Sequence, residues 1–204
     1  MRRLFFFFTM SCVVLAAPAQ KRSLYPTWTP MPWTEGRVIM ANNDTIYCLL
    51  RYEQIIPEGT LQIVDGDHAF TLKPEDVKSF YFFDPAQGRE RLFYTLPTSS
   101  GTGQEKPHFL ECLYDDQILS ILSHKTMGFA YDYMEFSPFK RKTPVNKRYL
   151  LDVHTGNLLP LSRENALRFL VDRKAEIEAF IRKNGLKFKK VSDYISVFEY
   201  HSSL

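Results

Sequence analysis

From Arg37 to Leu161 the chain is a succession of short aromatic and β-branched runs, most of them closed by a cluster of Asn, Asp or Gly. Runs of that length with that punctuation predict strands joined by tight turns. Arg37–Ala41 and Thr45–Tyr52 flank Asn42-Asn43-Asp44 and read as one hairpin. Leu61–Val64 and His68–Leu72 flank Asp65-Gly66-Asp67 and read as a second, with Asp-Gly supplying the positive φ that a tight hairpin needs. Pro74–Val77 suits one helical turn, because a proline at its start loses no hydrogen bond. Ser79–Phe83, Arg91–Leu96, Phe109–Tyr114 and Ile118–Ser123 continue the strands, and Tyr149–Val153 with Leu158–Leu161 forms a last hairpin around Thr155-Gly156-Asn157. Residues 97–107 (PTSSGTGQEKP) read as a polar loop, and Phe129–Phe139 is aromatic without a decisive period.

After Leu161 the period changes. Ser162 can cap a helix reaching Leu170, with Glu164 in its first turn. Asp172 can cap a second, in which Ile177, Phe180 and Ile181 recur at helical spacing and Asn184-Gly185 supplies the stop. Ser192-Asp193 begins a third, with Tyr194, Val197 and Phe198 on one face. Helices this short need a surface to cover, and the strands are the only one available. The expected fold class is therefore α+β: an antiparallel β-meander or small open barrel over 35–161, then three short C-terminal helices over 162–204 packed on the same domain.

The N-terminus carries a different message. Met1-Arg2-Arg3 is basic, Leu4–Ala17 is mostly apolar, and Ala17-Pro18-Ala19 places small residues before Gln20. That pattern predicts a signal peptide over 1–19. Fourteen residues are short for a bilayer-spanning anchor, which needs about twenty, and the residues before Cys12 lack the aliphatic side chain a lipoprotein site favours. Residues 20–34, rich in proline with Trp28 and Trp33, read as an extended arm laid on the domain. Removing Arg2 and Arg3 lowers the net charge from +3 to +1, so no field for nucleic acid is expected. No later stretch reaches membrane-spanning length, so no transmembrane segment is expected beyond the signal. An exported protein, secreted or periplasmic, is the expectation.

Chemical motifs are sparse. Phosphate loops, dinucleotide fingerprints, Gly-x-Ser-x-Gly elbows, Cys-x-x-Cys pairs and His-Glu-x-x-His helices do not occur, and no cofactor is expected. Asp65-Gly66-Asp67-His68 is the best hard-ligand cluster, but it reads as turn chemistry and no metal is expected. His108 and Cys112 are four apart on a strand, about 13 Å, too far to share a metal. Asp115-Asp116 reads as a turn before Ile118, with acid–base work open only if another acid lies opposite. Cys48 and Cys112 remain in the exported chain; a disulfide and two buried thiols both fit. The strongest binding candidate is basic and aromatic: Tyr131, Tyr133 and Phe136 beside Lys140, Arg141 and Lys142, which can hold phosphates or sugars or simply be a solvated loop.

The order GRVIMANNDTIYCLLRY, PEDVKSFYFFD, ERLFYTLP and YLLDVHTGNLLPLS, ending in charged helices, resembles a family of exported proteins of Gram-negative bacteria with no assigned function. The resemblance covers about residues 34–204. It implies a secreted or periplasmic β-rich domain with a helical tail and transfers no catalytic or binding residue. The leading functional expectation is an exported, non-catalytic binding domain of the cell envelope, its partner an envelope protein or a surface glycan. The competing one is a periplasmic hydrolase with a spatially assembled site, and the third a structural component of an assembly. A shallow exposed aromatic patch favours the first, titratable groups converging in one pocket the second, and an unpaired strand edge the third.

Overall fold

The computed structural model describes residues 32–53, 60–99, 105–131 and 140–204. The expected signal, Trp28 and most of the N-terminal arm lie outside the described residues. The strands among the described residues form one open ten-stranded sheet, antiparallel at every pairing: β1 (Thr34–Met40), β2 (Thr45–Glu53), β3 (Thr60–Asp65), β4 (His68–Leu72), β5 (Val77–Asp84), β6 (Arg89–Ser99), β7 (Glu105–Asp115), β8 (Leu119–Tyr131), β9 (Lys140–Asp152) and β10 (Leu158–Pro160). The spatial order is β10-β9-β8-β7-β6-β5-β1-β2-β3-β4. The chain lays down β1 to β4 as one meander. It then returns through a single 3-10 turn, Pro74–Asp76, to place β5 on the other side of β1, and runs out through β10 as a second meander.

That return bends the sheet. Four strand spacings separate β4 from β5, about 19 Å if flat. The five steps from Leu72 to Val77 span at most about 17 Å extended, and three of those residues are coiled in the turn. Ring contacts record the same curvature. Tyr52 on β2 and Phe109 on β7 are also four strands apart, yet their centroids lie 5.7 Å from each other. The inner face gathers Val38, Leu50, Leu61, Phe80, Phe82 and Phe93 into one buried core, with Phe80 stacked on Phe93 at 4.6 Å.

The same face continues onto β8 and β9, where helices cover it. Leu119, Ile121 and Leu150 pack against α1 (Arg163–Arg168), α2 (Lys174–Asn184) and α3 (Val191–Ser202) through Ala166, Ile177, Val197 and Phe198. Ser162 caps α1 by accepting a hydrogen bond from the Asn165 N–H at 3.1 Å. Gly185 ends α2 in the left-handed region at φ 62°. Asp172 does not cap α2: a 3-10 turn, Val171–Arg173, precedes the helix, and the Asp172 carboxylate bonds His201 of α3 at 3.0 Å instead. Phe180 is only half-buried and stacks on Tyr200 at 4.1 Å, while Ile177 and Ile181 carry the burial.

Two expectations of loop structure change. β6 runs on through Ser99 and β7 starts at Glu105, with Pro97 opposite Pro107, so both flanks of 97–107 are strand. The basic stretch around Lys140 is not a loop either, since β9 holds it in a 13-residue strand paired to β8 along its whole length. Pro144 is tolerated there because β10 meets β9 only opposite Tyr149–Leu151, leaving the earlier residues on an edge. No helix among the described residues is long and apolar enough to cross a membrane.

Candidate functional site

The outer face of the curled half is where apolar side chains meet solvent. Register places Arg37 of β1 between Tyr47 of β2 and Tyr81 of β5, and Glu35 beside Leu49. The row continues to Leu92 of β6, opposite Tyr81, and Cys112 of β7, opposite Leu92. Tyr47 is 77% exposed, Phe83 50% and Leu49 45%. The Arg37 guanidinium lies 5.4 Å from the Tyr81 ring centroid, a cation–π contact that fixes both side chains. At the N-terminal end Arg51 sits 4.8 Å from the Trp33 ring and bonds Gln62 through Nε at 3.1 Å.

Two depressions share Tyr47 and Tyr81. One, of about 530 Å³, is lined by Glu35, Leu49 and Phe83; the other, of about 510 Å³, by Arg37, Glu90, Leu92, Cys112 and Asp115. Both are shallow and open. Gly36 underlies the first, where a Cβ would stand 2.5 Å from the Tyr81 carbonyl oxygen. A side chain there has no room, so glycine lets β1 and β5 approach. Tyr94 donates to Asp115 at 3.3 Å, and burial and then the Asp115 charge push its phenol up to about 12. Burial, then the charge of Asp115, pushes the Cys112 thiol up to about 12 as well, so it stays protonated and weakly nucleophilic.

Beneath this surface lies a buried charge cluster. Arg91 reaches Asp84 at 3.1 Å and forks onto Glu111 at 2.9 and 3.0 Å, while its guanidinium lies 4.9 Å from the Phe93 centroid. Arg89 adds a 2.6 Å bond to Glu111. Burial alone would raise Glu111, but the Arg91 hydrogen bonds and charge, with Arg89 and Lys125, outweigh it and hold the carboxyl below its ordinary value. These groups satisfy one another, which suits a structural ion cluster more than a poised acid or base.

A third feature lies where β7 and β8 part company. Their pairing begins at Glu111 and Ser123, and just beyond it the His108 and His124 rings meet at a tilt of 45°, with centroids 4.7 Å apart. His108 Nδ1 bonds Thr98 and the Lys106 carbonyl, each at 2.8 Å. Burial, then the charges of His108 and Lys147, pushes His124 down to about 4.

The residues singled out from sequence fall differently. Tyr131 pairs with Lys140 at the end of the β8–β9 hairpin next to its connection, and Ala130 and Phe129 pair with Arg141 and Lys142. Tyr133 and Phe136 lie outside the described residues. The disulfide left open by the sequence is not formed: Cys48 and Cys112 are both free thiols. Register explains it. Cys48 shares the inner face with Gly36 and Phe82, whereas Cys112 shares the outer face with Leu92 and Tyr81. Asp65 and His68 flank the Gly66-Asp67 turn, with Gly66 at φ 60°. Asp116 ties the sheet to α3 by accepting from Tyr114 at 3.1 Å and from Ser202.

Sequence reading passed over Tyr47, Leu49, Tyr81 and Phe83, although a signal was present. An antiparallel strand with one wet face should alternate apolar and polar residues. Thr45–Tyr52 and Val77–Asp84 instead carry apolar side chains at both odd and even positions. No protein-family model, curated protein or solved structure matches the chain.

Proposed function

We propose that the protein is an exported, non-catalytic binding domain of the cell envelope whose outer β-face docks an envelope protein. One observation carries this reading: the exposed side chains of Tyr47, Leu49 and Phe83 gather around the half-buried Tyr81, beside Arg37 and Arg51. Tyr, Phe, Trp and Arg are the residue types enriched where proteins meet, and contiguous exposed apolar surface of this kind marks interaction sites. The acidic Glu35 and Glu90 flank the apolar row and supply a polar rim. Export rests on the three-part N-terminal pattern, and the resemblance to exported Gram-negative proteins supports the same compartment.

The curled half of the sheet is read here as an incompletely closed small barrel. The short β4–β5 connection and the Tyr52–Phe109 contact support that description. Such a shell is rigid, so the docking face is preformed and loses little order on binding. The test is capture from envelope extract with the exported protein and with Tyr47→Ser/Phe83→Ser. A discrete partner retained by the first and lost by the folded second is expected. A bound glycan in place of a protein, or an unchanged partner profile with the variant, would overturn the assignment.

A further inference from the structure

The two edges of the sheet are treated differently by the sequence. Exposed edges are templates for unwanted pairing, and proteins blunt the ones they do not use with short strands, lysine and proline. One edge here is blunted thoroughly. β10 is three residues long and ends in Pro160, and the free stretch of β9 beside it carries Lys140, Arg141, Lys142, Pro144 and Lys147. The opposite edge, β4, has none of this. His68-Ala69-Phe70-Thr71-Leu72 contains no lysine, arginine, acid or proline, and its first four residues are exposed. No strand among the described residues pairs with its far side.

We propose that β4 pairs antiparallel with β4 of a second copy of this chain, joining two sheets edge to edge about a two-fold axis. The hairpin register says which groups are free. Asp65 and His68 flank a two-residue turn and form a hydrogen-bonded pair, so the ladder alternates from there. His68, Phe70 and Leu72 turn their backbone groups to β3, and Ala69 and Thr71 turn theirs outward. A two-fold axis at Phe70 overlaps the whole strand with its copy. Ala69 of each copy then exchanges backbone hydrogen bonds with Thr71 of the other.

The side chains are self-complementary in that register. Phe70, 48% exposed, meets its own copy across a non-hydrogen-bonded position, where side chains come closest. The next residues outward place Asp67 of one copy opposite Lys73 of the other, twice by symmetry. Lys73 is exposed and engaged only loosely, 3.9 Å from Glu75. Charge complementarity thus selects a second copy in this register over an arbitrary extended peptide. The contact involves the sheet edge rather than the outer face, so it stands independently of the docking reading.

Sedimentation velocity of the purified protein from low to high micromolar concentration tests it. A reversible dimer is expected. Asp67→Lys should weaken it roughly tenfold, because two favourable pairs become repulsive. Asp67→Lys/Lys73→Asp should return it toward the parent value. Thr71→Pro, which removes an outward-facing donor, should leave a folded monomer by circular dichroism; if that variant fails to fold, the charge pair decides alone. A monomer at every concentration overturns the proposal and leaves β4 to an extended segment of another protein. A charge-swapped double variant no better than the single one, or a dimer undiminished in folded Thr71→Pro, overturns it equally.

Discussion

Replacing Arg91 with methionine should remove a large part of the stability of the curled half. The side chain is 5% exposed and its partners Asp84 and Glu111 are 3% and 2% exposed. Methionine fills most of the volume but strands two buried carboxylates. Breaking a buried ion pair by deleting one partner typically costs about 3–5 kcal/mol. The lower end applies here. Asp84 keeps the Gln87 amide at 2.9 Å and two backbone donors, and Glu111 keeps Arg89. About 3 kcal/mol in a chain of this size lowers Tm by roughly 6–12 °C. The pH dependence gives a sharper check. In the parent, Glu111 titrates below its unfolded value, so its contribution is complete above that value and fades as pH falls through the folded one. Without Arg91 burial dominates, the folded carboxyl titrates higher, and protonation relieves the variant. The gap in Tm between parent and variant should therefore narrow as pH drops from neutral toward about 4. His124 does not confuse the comparison. Pushed down to about 4, it costs both proteins stability as pH falls below 6.5, because only the unfolded chain takes the proton. A variant melting within about 2 °C of the parent, or a gap constant with pH, would refute the reasoning.

Other expectations are simpler to state. Phe198→Ala, at a side chain 2% exposed against β8, should cost about 3–5 kcal/mol by thermal melting, Phe180→Ala visibly less, and Lys174→Ala almost nothing; equal effects would mean the helices do not pack on the sheet. Intact mass of the protein recovered from its native cells should show a chain beginning at Gln20, and a retained N-terminus or a lipid on Cys12 would contradict the signal-peptide reading. Dialysed protein should hold no stoichiometric zinc or calcium; metal that disappears with Asp65→Ala/Asp67→Ala would show the turn to be a ligand set.

Much of the architecture was legible because it is local. Gly66 and Gly185 do what their sequence contexts demand, and Ser162 caps α1. The misreadings have one cause, that pairing overrides composition. Pro97, Pro107 and Pro144 look like loop residues, yet each sits where a neighbouring strand or an edge accepts it. Asp172 looks like a cap, but a carboxylate serves whichever donor is nearer, and His201 arrives from α3. The candidate site was hidden for a related reason. Its residues come from five strands, β1, β2, β5, β6 and β7, and only the return of β5 to β1 sets Tyr47 and Tyr81 either side of Arg37. Sequence proximity favoured the basic run near Lys140, whose composition equally serves to protect an edge.

The docking claim is tested most directly by photocrosslinking in living cells. A photoreactive phenylalanine analogue is introduced at Tyr47 or Phe83 on the outer face, and at Lys174 on the exposed side of α2 as a reference. Irradiation should yield one discrete heavier adduct, containing an envelope protein, from positions 47 and 83 and none from 174. Adducts that are absent at 47 and 83, or equally abundant at 174, would contradict the account.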